Sequence, residues 1–186
     1  MHINGALNTG CTVNEVKEII LQMSAYAGFP ACINGVNTLK DVLEERKTLN
    51  ICDKEGKMTD VDEDANRLQV GKQELSGIDR HAIEQLEHSY ADFSPELMKF
   101  TIEYAYGDIF SRSNLSKKHR QIATIAALTA LGRLPQLQFH INAGINVGLT
   151  KENIENIILL MSVYSGFPSA INGMNVLKDV IIVRKK

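Results

Sequence analysis

The sequence predicts an all-α protein, and three observations carry the prediction. Apolar residues recur at helical spacing in one segment after another, as in Ile154, Ile157, Ile158 and Met161. Those segments are bounded by helix punctuation: Thr12 with Glu15, Ser94-Pro95-Glu96, Ser116 and Thr150 at starts, Gly77, Gly107 and Gly132 at ends. No β-hairpin signal, a tight turn between two alternating runs, appears.

A duplication organises the chain. Residues 2–47 and 140–185 align without a gap at one constant offset, with roughly 25 of 46 positions identical. What precedes His140 has no second copy, so the chain holds one and a half units, the half first. Residues 1–48 read as the half unit, 49–66 as a charged linker and 67–186 as the complete unit.

In the half unit Thr12 and Glu15 form a capping box ahead of Val16, Ile19, Ile20 and Met23. That apolar stripe needs cover, and the expectation is that it packs on the complete unit as a pseudo-symmetric partner. The linker NICDKEGKMTDVDEDAN carries charges and little apolar period, which predicts a solvated segment. Its Asp60, Asp62 and Asp64 have calcium-loop spacing, yet Ala65 stands where the loop needs glycine and Gly71 where it needs glutamate. From Arg67 a helix runs to about Ser76, and a second from Asp79 to Tyr90. Ser94-Pro95-Glu96 starts the next, in which Leu97, Phe100, Thr101 and Tyr104 repeat until Gly107. The segment KKHRQIATIAALTAL, capped by Ser116 and ended by Gly132, is apolar on nearly every face beyond Arg120, which predicts a helix in the middle of a bundle. Next comes PQLQFHINAGINVG, where Leu137, Phe139, Ile141, Ala143, Ile145 and Val147 alternate in a way that, by period alone, argues for a strand. Thr150 caps a helix with Asn153 in the place of Glu15, Gly166-Phe167-Pro168 breaks the chain, and Ala170, Met174, Leu177 and Ile181 mark a last amphipathic helix.

Composition narrows the function classes. With 186 residues, 44% hydrophobic and 23% charged, and a net charge of −2, the chain can bury a sizeable core and shows no basic footprint for nucleic acid or a membrane surface. Its apolar runs stop short of the roughly 20 residues a membrane span needs, and no signal peptide opens it, so a cytoplasmic location is expected. Cys11, Cys32 and Cys52 are an odd, widely spaced set that indicates neither a disulfide framework nor a zinc site.

The motifs HIN, NxGxT, YxGFP and ING, together with EYAYGDIFSRSNLSKKHRQIATIAALTALGRLPQLQFH, make the chain resemble the carboxymuconolactone decarboxylase family, which includes an alkylhydroperoxidase D branch. The match covers about residues 67–185 as one domain and 2–47 as the second half of another. The resemblance implies an alkylhydroperoxidase D-like helical bundle with a duplicated helical hairpin, and it is what makes PQLQFHINAGINVG a helix despite its alternation. It also implies a homo-oligomer, a trimer or hexamer, with sites near subunit contacts. The peroxidase branch works through a CxxC pair just before the shared histidine. Here those positions are Arg133 and Gln136, which removes both the attacking and the resolving thiol.

The resemblance then implies a cofactor-free decarboxylase, a lyase acting on a small carboxylated lactone or related acid. Such chemistry must hold a carboxylate, stabilise a lactone oxygen and deliver a proton to a carbanion-like centre. Arg112 and Arg120 are the candidates for the carboxylate, because a guanidinium binds it bidentately; either can equally be a surface or helix-end ion pair. His140 is the candidate proton carrier. Glu103 could orient the imidazole or act as base, and Asp108 and Tyr164 are candidate substrate contacts, with a turn former and a packed tyrosine as their plainer readings. The alternative function is a catalytically degenerate member serving assembly or ligand binding. A thiol peroxidase comes third.

Overall fold

The computed structural model describes residues 1–60, 62 and 64–185, and every regular element among them is helical. The half unit supplies α1 (His2–Asn8), α2 (Val13–Tyr26) and α3 (Phe29–Thr48). The complete unit supplies α4 (Arg67–Ser76), α5 (Ala82–Tyr90), α6 (Pro95–Phe100), a π-helix (Thr101–Phe110), α7 (Lys117–Leu131), α8 (Leu134–Asn146), α9 (Lys151–Ser165) and α10 (Phe167–Arg184). None of the helices is long and apolar enough to cross a membrane among the described residues.

The punctuation read from the sequence recurs as hydrogen bonds. Thr12 and Thr150 each accept from the backbone three residues on, and the side chains of Glu15 and Asn153 reach back to close both capping boxes. Gly132 ends α7 in the left-handed conformation. Gly28 and Gly166 take matching dihedrals, φ 89° and 86°, at the start of α3 and α10, so the two GFP turns have one shape. The alternating stretch is helix α8, with Pro135 in its first turn.

Two expectations are corrected at the next step. Gly107 does not stop a helix: the chain continues beyond it as a π-helix, with Ser111 N–H donating five residues back to Tyr106. Glycine is needed there because α4 lies close, a Cβ on Gly107 falling 2.5 Å from the Arg67 carbonyl oxygen and one on Gly71 2.1 Å from that of Ile102. The stripe Leu97 and Phe100 is also not core; both are more than half exposed, and they wall a cavity described below. Ile102, Tyr106, Ile109 and Phe110 are buried instead, because the wider turn shifts which side chains share a face.

Helix α7 sits centrally, against α8, α9, α10 and α2, and its buried face carries Arg120, Gln121, Thr124 and Thr129 beside Ile125 and Leu128. One apolar cluster joins α7, α8, α9 and α10, a second joins α4, α5, the π-helix and α8, and a third lies inside the half unit. The third overturns the expectation for α2. Val16 and Ile20 pack with Leu7, Leu39 and Val42 of their own half, and Ile19 is exposed. The face of α2 that meets the complete unit carries the polar groups of Glu18, Gln22 and Tyr26, one residue per turn, beside Leu21, which packs on the second cluster.

The linker is likewise less solvated than its charge suggests. Val13 and Asn14 N–H donate to the carbonyls of Lys54 and Glu55, and Asp53 takes two hydrogen bonds from Arg46. Residues 61 and 63 of the calcium-like stretch lie outside the described residues, and no metal-holding cluster occurs among the described ones.

Candidate functional site

Each copy's histidine meets the other copy's tyrosine. The Tyr26 and His140 rings are edge to face, 5.3 Å between centroids at 83°, and His2 and Tyr164 stand at 5.3 Å and 82°. This is the i-to-j, j-to-i exchange of a two-fold contact, made within one chain by the duplication. The two pairs differ in surroundings. Tyr164 is 54% exposed, whereas His140 is 4% exposed and has partners on both ring nitrogens.

His140 Nδ1 lies 2.9 Å from Gln121 Oε1, an oxygen that can only accept, so Nδ1 carries the hydrogen. Nε2 is then the bare nitrogen, and the Tyr26 hydroxyl donates to it across 3.3 Å. Burial without a compensating charge lowers the pKa of His140 to about 3, so the imidazole is neutral. Burial likewise raises the Tyr26 phenol above its ordinary value. Gln121 is fully buried, and its amide nitrogen has no hydrogen-bond partner.

His140 and Tyr26 border a cavity of about 810 Å³ between α5, α6, the π-helix and α8. Its walls are mainly aromatic and aliphatic, Phe100, Tyr104, Tyr106, Phe139, Leu86 and Leu97, with the uncharged polar side chains Gln85, Ser89, Thr101 and Gln136 among them. Among the described residues no lysine, arginine or carboxylate lines it.

The arginines, Arg112 after the π-helix and Arg120 on α7, are gathered elsewhere, on Glu18 of α2. Glu18, 3% exposed, accepts from Arg112 Nε at 2.9 Å and from Arg120 Nη2 at 2.9 Å. Gln22, one turn on, donates to the Arg120 carbonyl at 2.9 Å and to Thr124 at 2.8 Å. Burial works against ionisation of Glu18, but the hydrogen bonds and charges of the two arginines outweigh it and hold its carboxyl below the usual range. Arg120 is wholly buried, which lowers its pKa, while Glu18 opposes that shift. Glu18 and Tyr26 are eight residues apart, about 12 Å along the helix axis.

The profile of one protein family matches residues 1–41 and 95–179, two thirds of the chain and both copies of the repeat. The chain belongs to the carboxymuconolactone decarboxylase family. It is 34% identical over 102 residues to the 4-carboxymuconolactone decarboxylase of Acinetobacter baylyi, covering 55% of this chain and 75% of that protein. A nitrosuccinic acid decarboxylase of Metarhizium robertsii is 32% identical over 79 residues, 42% of this chain and 55% of the relative. Peroxisomal protein 2 of Saccharomyces cerevisiae is 23% identical over 180 residues, covering 82% of this chain and 62% of its own length.

Against this family membership the six residues singled out from the sequence do not form one cluster. His140 borders the aromatic cavity; Arg112 and Arg120 are joined on Glu18. Asp108 is paired with Arg67, Glu103 stands 4.0 Å from Lys99 outside the cavity lining, and Tyr164 faces His2. Sequence reasoning did not single out Glu18, Gln22 and Gln121. A signal was present: Gln22 is polar where the second copy has Leu160, Glu18 is charged where it has the neutral Asn156, and Gln121 opens the apolar run of α7. Buried polar side chains on an otherwise apolar helix ask for partners.

Proposed function

We propose that the chain is a cofactor-free decarboxylase of a small carboxylated lactone or related acid, and that His140 carries the proton. Family membership and decarboxylase-named relatives support the reaction class. The observation that supports the mechanism is a neutral imidazole with its bare Nε2 beside a cavity that has no cation. A carboxylate alone in such a cavity is poorly solvated, so the acid enters together with a proton. Its carboxyl proton passes to Nε2, and the imidazolium is then the counter-ion that no arginine supplies. As CO2 departs, the electron pair of the broken C–C bond flows into the conjugated lactone, whose carbonyl oxygen takes one hydrogen bond from the Tyr26 hydroxyl, released from Nε2 once that nitrogen is protonated. The imidazolium then returns its proton to carbon, restoring neutral His140.

In this scheme Gln121 positions the imidazole by fixing its tautomer. Arg112 and Arg120 hold α2, through Glu18, where Tyr26 reaches Nε2. The half unit thus completes a site that the complete unit lacks alone. The reading of a degenerate ligand-binding member is favoured by the same lack of charge in the cavity. Assembly of the chain we assign to the exposed apolar side chains Leu159, Leu160, Val163 and Phe167 on α9 and α10.

The test follows the absorbance of 4-carboxymuconolactone with purified protein and with His140→Asn. The wild type is expected to turn over and the variant to lose about a hundredfold or more. No wild-type turnover, or equal turnover by the variant, would count against the proposal.

A further inference from the structure

A second cavity, of about 670 Å³, opens on α2 beside the His140 site, the nearest lining residues, Leu21 and Ala25, standing about one turn apart, and the two share no lining residue. Its floor is apolar, Leu21, Leu39 and Leu43, with the exposed Val36 and Met58 at its edge. Its rim carries Lys17, Lys40, Lys47 and Arg112 against the carboxylates Glu18 and Glu44, a local excess of positive charge in a chain whose net charge is −2. Much of that charge is uncommitted. Lys40 and Lys47 form no ion pair among the described residues, and Arg112 spends Nε and Nη2 on Glu18, leaving Nη1 without a hydrogen bond among them. Glu18 is itself shared between two guanidinium groups. At the same end Asn114 Oδ1 is buried without a hydrogen-bond partner.

The second copy does not repeat this arrangement. The equivalents of Lys17 and Glu18 are Glu155 and Asn156, and Met58 and Arg112 have no equivalent in the repeat. On α3, Val36, Lys40, Leu43 and Lys47 share one face, apolar side chains alternating with cations, which matches a molecule with an apolar body and an anionic end.

We propose that this cavity binds an organic monoanion with an apolar chain, its carboxylate between Arg112 and the α3 lysines and its chain on Leu21, Leu39 and Leu43. The test is isothermal titration of the full chain with sodium octanoate and, separately, 1-octanol. Octanoate is expected to bind one per chain and about tenfold tighter than octanol. The double variant Lys40→Gln/Lys47→Gln, at exposed positions that leave the fold intact, loses that preference while keeping decarboxylase turnover. Octanoate binding is unchanged by His140→Asn. Absence of octanoate binding, equal binding of octanol, a preference that survives the lysine replacements, or loss of binding in His140→Asn would each overturn the proposal.

Discussion

Replacing Glu18 by glutamine tests how the two units are joined. Glu18 is 3% exposed and Arg120 not exposed at all, and Glu18 is the carboxylate paired with Arg120. Removing one partner of a buried pair leaves an uncompensated buried charge, a loss of about 3–5 kcal/mol. Glutamine keeps one accepting oxygen for Arg120 Nη2, which puts the expected loss at the lower end, about 3 kcal/mol. Urea unfolding followed by far-ultraviolet circular dichroism reads it directly, since the chain has no tryptophan. With a slope of about 2 kcal/mol per molar, the midpoint falls by about 1.5 M at unchanged slope. Lys17→Met is the control: it breaks a pair with Glu55 in which both side chains are half or more exposed, and it costs less than about 1 kcal/mol. A Glu18→Gln loss as small as the control's would refute the reasoning, because the junction would then be screened like surface charge.

Three further outcomes are expected. Gly71→Ala places a Cβ 2.1 Å from a backbone oxygen of the π-helix, which cannot move as a side-chain tip can, so unfolding should show a loss of about 2–3 kcal/mol; Gly5→Ala, in open space on α1, should be neutral or gain a few tenths. Because the pKa of His140 falls to about 3 in the folded chain, the unfolded chain binds the extra proton between about pH 6.5 and 3, and stability drops as pH falls through that window. The drop is about 1.4 kcal/mol per pH unit beyond that of His140→Asn, and parallel curves from pH-stepped denaturation would contradict it. Tyr26→Phe keeps the ring but removes the hydroxyl that faces Nε2, so kcat should fall about tenfold with stability changed by less than about 1 kcal/mol; an unchanged kcat would remove Tyr26 from the chemistry.

The helices were legible because their signals are local. Thr12, Ser116 and Thr150 cap where the sequence predicts, and the GFP turns break the chain at Gly28 and Gly166. The π-helix was not legible, because Gly107 reads as a stop until α4 is seen to lie against it. The site was legible only at His140, whose motif the family supplies. Its partners lie 19 residues away in Gln121 and 114 residues away in Tyr26, and no periodicity within one helix announces such pairings. The arginines illustrate the same limit from the other side. A guanidinium suits a substrate carboxylate, but the sequence does not say that Glu18, more than ninety residues upstream, already provides one.

The central claim is that His140 receives a proton that enters with the acid. A saturated γ-lactone with its carboxylate on the γ carbon cannot decarboxylate, since neither a C=C bond nor the lactone carbonyl is placed to take the electron pair, and it can be titrated calorimetrically at pH 7 in buffers of different ionisation enthalpy. The account predicts uptake of about one proton per ligand bound by both proteins, because the cavity of His140→Asn also lacks a cation, with infrared difference spectra showing an ionised carboxylate in the wild type and a neutral carboxyl in the variant. Binding with no proton uptake, or a neutral carboxyl in both proteins, would contradict it.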